Sequence, residues 1–483
     1  MVQTGRWAAQ QVRLHPFQGV LRLSVCPVTS RRPTTALSGR AQVVQGVPWM
    51  GNISRYDWLA AQPCPRAWRW ALHATGGYPM AERTYRYVVV GAGLAGAAAV
   101  EGIRELDGSG SILLIGDEPH LPYNRPPLSK KLWFGKTTLD RIYVHDESFY
   151  RSAGVDLALG VTVTRLDCTV RTATDSRGDV IHYEKLLLAT GGAPRKLGIP
   201  GSDEAGLCLY RTLDDYLRVR NEVGEGRSAL VVGGGFIGSE MAAALSTVGA
   251  EVTMVFPDPY LCRRVFPEDL GKAIQNRFQE RGIRVIADDV PASFSRKGDQ
   301  VVMRTMGRVE VTADVAVVGI GIKPNVYLAE QAGLETRGAI VVDEYLRTSD
   351  ADVYAAGDNS IFPYQALGRP MHVEHWDNAL SQGKHAGRNM AGANEPFSYM
   401  PYFFSDLFEF GYEAVGEVDS SLDTYAEWEK EFDTGVVYYL ADGKVRGAMM
   451  CNVWGKVDAA RDLIRSGRTM AASSLHGAIP VSA

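Results

Sequence analysis

Residues 122–133 read PYNRPPLSKKLW, with Pro126 and Pro127 followed closely by Ser129, Lys130 and Lys131. Adjacent prolines restrict φ and remove two amide donors, so this backbone is stiff. Lys130 is the first lysine in the chain. A cation held on such a turn calls for an anion, either a carboxylate or a charge on a bound molecule. The plainer reading is a helix start with Ser129 as its cap and a solvated lysine, and for Lys131 that reading suffices.

Two glycine clusters offer a second chemistry. RYVVVGAGLAGAAAVEGIREL places Gly91, Gly93 and Gly96 in G-x-G-x-x-G spacing after an apolar run and before a small-residue helix. One glycine suits the tight turn, one the close approach of a pyrophosphate, and one the packing of helix on strand. The next apolar run, SILLIGDEP, ends in Asp117 and Glu118, where an acid can accept from ribose hydroxyls. The pattern returns in SALVVGGGFIGSEMAAALSTVGAEVTMVFPD, with Gly233, Gly235 and Gly238 and with Asp258 standing 20 residues past Gly238. A single fingerprint is weak, because any tight strand-to-helix turn can produce one. Two in matching context predict two dinucleotide sites. Asp258 would accept from a free 2′-hydroxyl and repel a 2′-phosphate, favouring NADH over NADPH, unless the nearby Arg263 and Arg264 fold back to reverse that preference.

These clusters require strand–turn–helix–strand units, and so an α/β fold with two Rossmann-like domains. Downstream, TGVVYYLADGKVRGAMMC alternates like paired strands about a turn at Asp442 and Gly443. The six cysteines (Cys26, Cys64, Cys168, Cys208, Cys262 and Cys451) form no C-x-x-C or C-x-x-x-x-C pair. That pattern suits a reducing compartment and offers no local redox disulfide or zinc knuckle. No run reaches the roughly 18 apolar residues of a membrane helix, and a cytoplasmic location is expected.

The first 79 residues differ from the rest: nine arginines, no lysine and one acid, Asp57, against 42 basic and 54 acidic residues in the remainder. An arginine-rich, acid-poor leader fits an organelle transit peptide. It is nevertheless poor in serine and lacks a clear amphipathic repeat, and Met80 stands just before the first strand. The leader is therefore read as an extension outside the folded body. Nucleic-acid binding has little electrostatic support from a body of net charge −12.

With these motifs in place, the chain resembles the two-dinucleotide flavoprotein reductases, in the group holding ferredoxin reductases, rubredoxin reductases and apoptosis-inducing factor. LLLATGGAPRKL (186–197), TSDADVYAAGDNS (348–360) and VEHWDNALSQGKHAGRNM (373–390) carry the resemblance together with the proline turn and both glycine loops. It implies FAD on the first unit, NADH on the second, and a small α+β C-terminal reductase domain. The implied division is a leader over 1–79, FAD domain over 80–207 and 329–397, NAD domain over 208–328, C-terminal domain over 398–470, and a tail over 471–483.

Carried over by position, the resemblance puts Asp358 on the FAD ribityl chain and lines the FAD site with Arg125, Lys130, Arg195 and Val163. It pairs Lys130 with Glu240, where a lysine near reduced, anionic flavin would stabilise it by about 4 kcal/mol at ~4 Å for an effective dielectric near 20. It sets Phe236, beside Ile237, over the flavin until nicotinamide displaces it, although a packed core phenylalanine explains Phe236 equally well. Glu374 and His375 fall at the nicotinamide and flavin contacts, and a helix starting near Trp376 would aim its positive end at the flavin. Phe404 stands where relatives place a tryptophan, and Gly321 and Arg264 fall among the cofactor contacts.

The expected activity is electron transfer from NADH through FAD to an external acceptor, most simply a ferredoxin or rubredoxin. Two alternatives remain open: an NADH-sensing protein like apoptosis-inducing factor, and reduction of a quinone or another small acceptor. A homodimer is compatible with either.

Overall fold

A computed structural model describes residues 81–481; the leader, Met80, Cys26 and Cys64 lie outside the described residues. The first sheet begins with β1 (Glu82–Val90), β2 (Ile112–Gly116) and β3 (Val155–Leu159), continues through β4 (Val163–Asp167) and β5 (Thr172–Asp175), and closes with β6 (Val180–Leu188). Its order is β3-β2-β1-β6-β5-β4, parallel from β3 to β6 and antiparallel beyond. The C-terminal half of β6 also pairs in parallel with Val353–Ala355, so the chain returns to complete this sheet after building the second. Near-continuous apolar runs such as VVV in β1 and ILLI in β2 suit strands covered on both faces.

The second sheet is parallel throughout: Arg284–Ile286, Glu251–Val255, Ser228–Val232, Val315–Val318 and Cys208–Leu209, in that order. The C-terminal region is a five-stranded antiparallel sheet ordered Tyr402–Leu407, Phe410–Gly416, Lys444–Cys451, Thr434–Ala441 and Asp423–Lys430, followed by the helix Val457–Ser466. Asp442 and Gly443 take φ of 52° and 70°, the left-handed pair of a tight hairpin turn. The segment expected only as a tail is anchored to this sheet: Leu475 and Ile479 are fully buried, and the Ile479 amide donates to Tyr438 Oη at 3.0 Å.

Helix α1 (Leu94–Leu106) follows the first glycine loop and α2 (Phe236–Thr247) the second, while α3 (Trp376–Met390) starts at the expected residue. Glycines bring α1 and α3 into backbone contact. A Cβ added at Gly387 would stand 2.1 Å from the Ala99 carbonyl oxygen, and one at Gly383 would stand 2.2 Å from that of Ala95. This contact fixes the height at which the N-terminus of α3 meets the loops. Gly387→Val should therefore force the helices apart and destabilise the fold by at least about 2 kcal/mol. Denaturant unfolding checks this, and an unchanged midpoint would show that the crossing is loose.

Candidate functional site

Both glycine loops are built in the same way. Gly91 (φ 120°) lies under the Ala189 carbonyl, 2.1 Å from where its Cβ would be, and Gly96 lies 2.0 Å by the same measure from the Gly91 carbonyl. Gly233 (φ 122°) meets the Gly319 carbonyl at 2.3 Å, and Gly238 meets that of Gly233 at 2.0 Å. The middle glycines differ: a Cβ on Gly93 or Gly235 would meet nothing within 4 Å. Outer glycines are thus demanded by the protein's own packing, whereas the middle ones guard open space beside a helix N-terminus. That is the cradle a pyrophosphate requires.

From the first loop a line of polar contacts runs across the sheet ends. Glu118 accepts from Tyr123 Oη and from Arg125 Nη2, each at 2.6 Å. Arg125 also donates to the Arg211 carbonyl at 2.8 Å, and the Arg211 guanidinium pairs with Asp358 at 3.0 Å. The His372 ring nitrogen sits 2.7 Å from the Asp358 carbonyl oxygen and 3.8 Å from Glu374. Burial pushes the Glu374 carboxyl up from its ordinary range. Arg211, the partner of Asp358, carries no motif that would single it out in the sequence.

At the start of α3, Trp376 Nε1 donates to Asn124 Oδ1 at 2.7 Å, tying the helix to the proline turn. Several buried polar atoms lack a protein partner there and at the adjoining turn: His375 Nδ1, Asn378 Oδ1, Asn359 Oδ1 and Gln382 Nε2. Buried polar atoms are normally satisfied, so a cluster of exceptions fits a polar ligand. An elongated polar track, an open glycine cradle and unsatisfied groups at one helix end together suit a flavin dinucleotide.

The cation of the proline turn has found its anion. Lys130 Nζ lies 2.7 Å from Glu240 Oε1 in α2, with side chains 7% and 3% exposed. Ser405 Oγ donates to the same oxygen at 2.6 Å, and Ser129 Oγ donates to Oε2 at 2.5 Å. Pro126–Ser129 forms a single 3-10 turn, so Ser129 binds a carboxylate rather than capping a helix, while Lys131 is exposed as read from the sequence. Lys130 Nζ is also 5.6 Å from the Phe404 ring centre. Beside it the neighbouring Phe403, which no sequence signal marked, packs between His375 at 4.3 Å and Phe236 at 5.5 Å.

The remaining expected residues fall less centrally. Asp117 is exposed just past β2, whereas Glu118 holds the network with Tyr123 and Arg125. Val163 is a core side chain, leaving only its backbone to face a ligand. Arg195 Nε donates to the Ile322 carbonyl at 2.9 Å beside Gly321, between the two units. Ile237 is 38% exposed on the first turn of α2, an apolar lip for the second cradle. Asp258 pairs with Arg263 at 3.4 Å, so Arg263 rather than Arg264 is the arginine that folds back, and it does so onto the Asp258 carboxylate, which offsets its charge instead of leaving it free to reverse the preference for NADH. Cys262, whose amide donates to the Gly234 carbonyl, is pushed up to about 12 by burial and stays a thiol at neutral pH.

Burial likewise holds the His375 imidazole down, from 6.5 to about 4. Between those values the unfolded chain binds more protons than the folded one, so stability is complete above about 6.5 and falls as pH drops toward 4. Acid titration of the unfolding free energy of the ligand-free protein should show this slope. His375→Phe, which keeps an aromatic ring against Phe403, should flatten it, and an unaltered slope would relieve His375 of that role.

A family model described as pyridine nucleotide-disulphide oxidoreductase matches residues 85–383. A second, described as the C-terminal part of mitochondrion-associated apoptosis-inducing factor, matches residues 386–431. The ferredoxin–NAD(+) reductase component of the anthranilate 1,2-dioxygenase system of Burkholderia cepacia is 34% identical over 388 residues, covering 79% of this chain and 94% of that protein. Apoptosis-inducing factor 1 of Dictyostelium discoideum is 32% identical over 424 residues, covering 80% of this chain and 79% of its own. A chain of the crystallised covalent putidaredoxin reductase–putidaredoxin complex superposes with a TM-score of 0.74 at 28% identity, over 80% of this chain and 94% of that one. Two equivalent glycine cradles, the shared ion pair between them and these matches agree: the chain belongs to the pyridine nucleotide-disulphide oxidoreductase family.

Proposed function

We propose that this protein is an FAD-dependent reductase that takes electrons from NADH and passes them to a small carrier of the ferredoxin or rubredoxin type. The observation that carries this reading is the buried Lys130–Glu240 pair, one partner on the proline turn of the first nucleotide unit and the other on the glycine-rich helix of the second. FAD, when bound, would supply the redox chemistry, taking two electrons as hydride and giving them up one at a time to two molecules of a one-electron acceptor.

The chain's own residues do the rest. Gly93 admits the FAD pyrophosphate, Glu118 and Arg125 address the ribose, and Asp358, steadied by Arg211, addresses the ribityl hydroxyls. Gly235 and Asp258 serve NADH in the same way. Lys130 holds a positive charge where reduction places negative charge, and Glu240 keeps that ammonium from drifting. Phe236, Phe403 and His375 form an aromatic wall that excludes water, with His375 neutral at working pH. The sequence contains no closely spaced cysteine pair, and the buried Cys262 thiol beside the second loop is unsuited to a thiolate relay. This supports direct exit of electrons from the flavin. The acceptor class is supported by the ferredoxin reductase and putidaredoxin complex among the relatives. The unpaired thiols among the described residues support a reducing compartment, read as the cytoplasm.

A second reading has its own support. The match of residues 386–431 to the C-terminal part of apoptosis-inducing factor favours a slow NADH-sensing flavoprotein. Anaerobic mixing with NADH, followed by ferredoxin, separates the two. Rapid bleaching with fast carrier-dependent reoxidation supports the reductase, whereas a persistent long-wavelength band that resists reoxidation supports the sensor.

Lys130→Ala should retain FAD and slow reduction by NADH at least about tenfold, roughly 1.4 kcal/mol of lost stabilisation. Stopped-flow absorbance measures this, and unchanged kinetics would remove Lys130 from the chemistry. Asp258→Ala should lower the NADH-to-NADPH ratio of kcat/KM by about tenfold, as expected for loss of a hydrogen bond to a charged group. A parent protein that already prefers NADPH would overturn the coenzyme assignment.

A further inference from the structure

We infer that Ser129 and Ser405 are positioning residues that hold the Glu240 carboxylate from two sides and so leave the charge of Lys130 available to the flavin site. This rests on the flavoprotein reading above. All four side chains are buried: Ser129 at 3%, Lys130 at 6%, Glu240 at 3% and Ser405 at 1% exposure. Ser129 sits on the proline turn, Glu240 on α2 and Ser405 on the first strand of the C-terminal sheet, so three separate regions of the chain meet at one carboxyl group.

The two oxygens are served unequally. Oε1 receives both Lys130 Nζ and Ser405 Oγ, whereas Oε2 has Ser129 Oγ as its one hydrogen-bond donor among the described residues. A buried carboxylate that loses hydroxyl donors concentrates its interaction on the donor that remains, here the ammonium already in contact at 2.7 Å. With both hydroxyls present, the negative charge is shared over three donors and Lys130 is only partly neutralised. Without them Glu240 would claim the ammonium more fully, and the positive potential that favours reduced flavin would fall. The serines thereby set how much of the lysine's charge is felt outside the pair.

The test uses the full-length, FAD-loaded protein and its Ser129→Ala, Ser129→Thr, Ser405→Ala and Lys130→Ala variants. Bound FAD per chain, flavin midpoint potential and the rate of reduction by NADH are read for each. Both alanine variants should keep FAD, with lowered potentials and reduction slowed about tenfold, the order expected for a hydrogen bond to a charged group. Ser129→Thr, which restores the hydroxyl, should return the potential toward the parent value. If Ser405→Ala sheds flavin, Ser129→Ala and its threonine counterpart carry the test alone. Potentials equal to the parent's in the serine variants, alongside a shifted Lys130→Ala, would overturn the clamp. An unshifted Lys130→Ala would overturn the underlying reading of the lysine.

Discussion

An ammonium and a carboxylate removed from water together are a liability unless their geometry is good and their remaining hydrogen-bonding capacity is filled. Lys130 and Glu240 meet both conditions only when the proline turn, α2 and the C-terminal sheet stand in register. The pair thus constrains the assembly of the region around it. Pro126 and Pro127 reduce what the turn loses on ordering, since a stiff chain has fewer conformations to give up. The hydroxyls of Ser129 and Ser405 fill the carboxylate's capacity without adding charge.

A second constraint is the closeness of backbones. The two nucleotide units solve one problem with one device, an outer pair of glycines packed against carbonyl oxygens and a middle glycine facing empty space. The crossing of α1 with α3 uses the same currency, with Gly383 and Gly387 at distances no side chain tolerates. Loop, helix and crossing together bring a helix N-terminus, the polar track from Glu118 to Asp358 and the aromatic wall into one neighbourhood. Charges along the track are matched in pairs, Arg125 with Glu118 and Arg211 with Asp358, so they bind through oriented donors and acceptors rather than through net charge.

The glycine loops and the hairpin at Asp442 and Gly443 were legible because each depends on residues a few positions apart. So was the start of α3 at Trp376, carried by its motif. The site between the units was legible only in part. The resemblance paired Lys130 with Glu240, but Ser129 read as a cap, Ser405 and Phe403 were unmarked, and Asp358 stood without Arg211. The distinction between Arg263 and Arg264 was out of reach as well, because adjacent arginines on an irregular segment differ only in the direction their side chains take.

By itself, then, the amino-acid sequence determined that this chain builds two dinucleotide cradles and a stiff, cationic turn, since spacing, φ preference and apolar periodicity are local properties. Tertiary structure alone decided how the charges are shared. Ser129 is 111 residues from Glu240, Ser405 is 165, and Arg211 is 147 from Asp358. Contacts across such separations follow from how sheets and helices pack in space, and no periodicity in the chain encodes them.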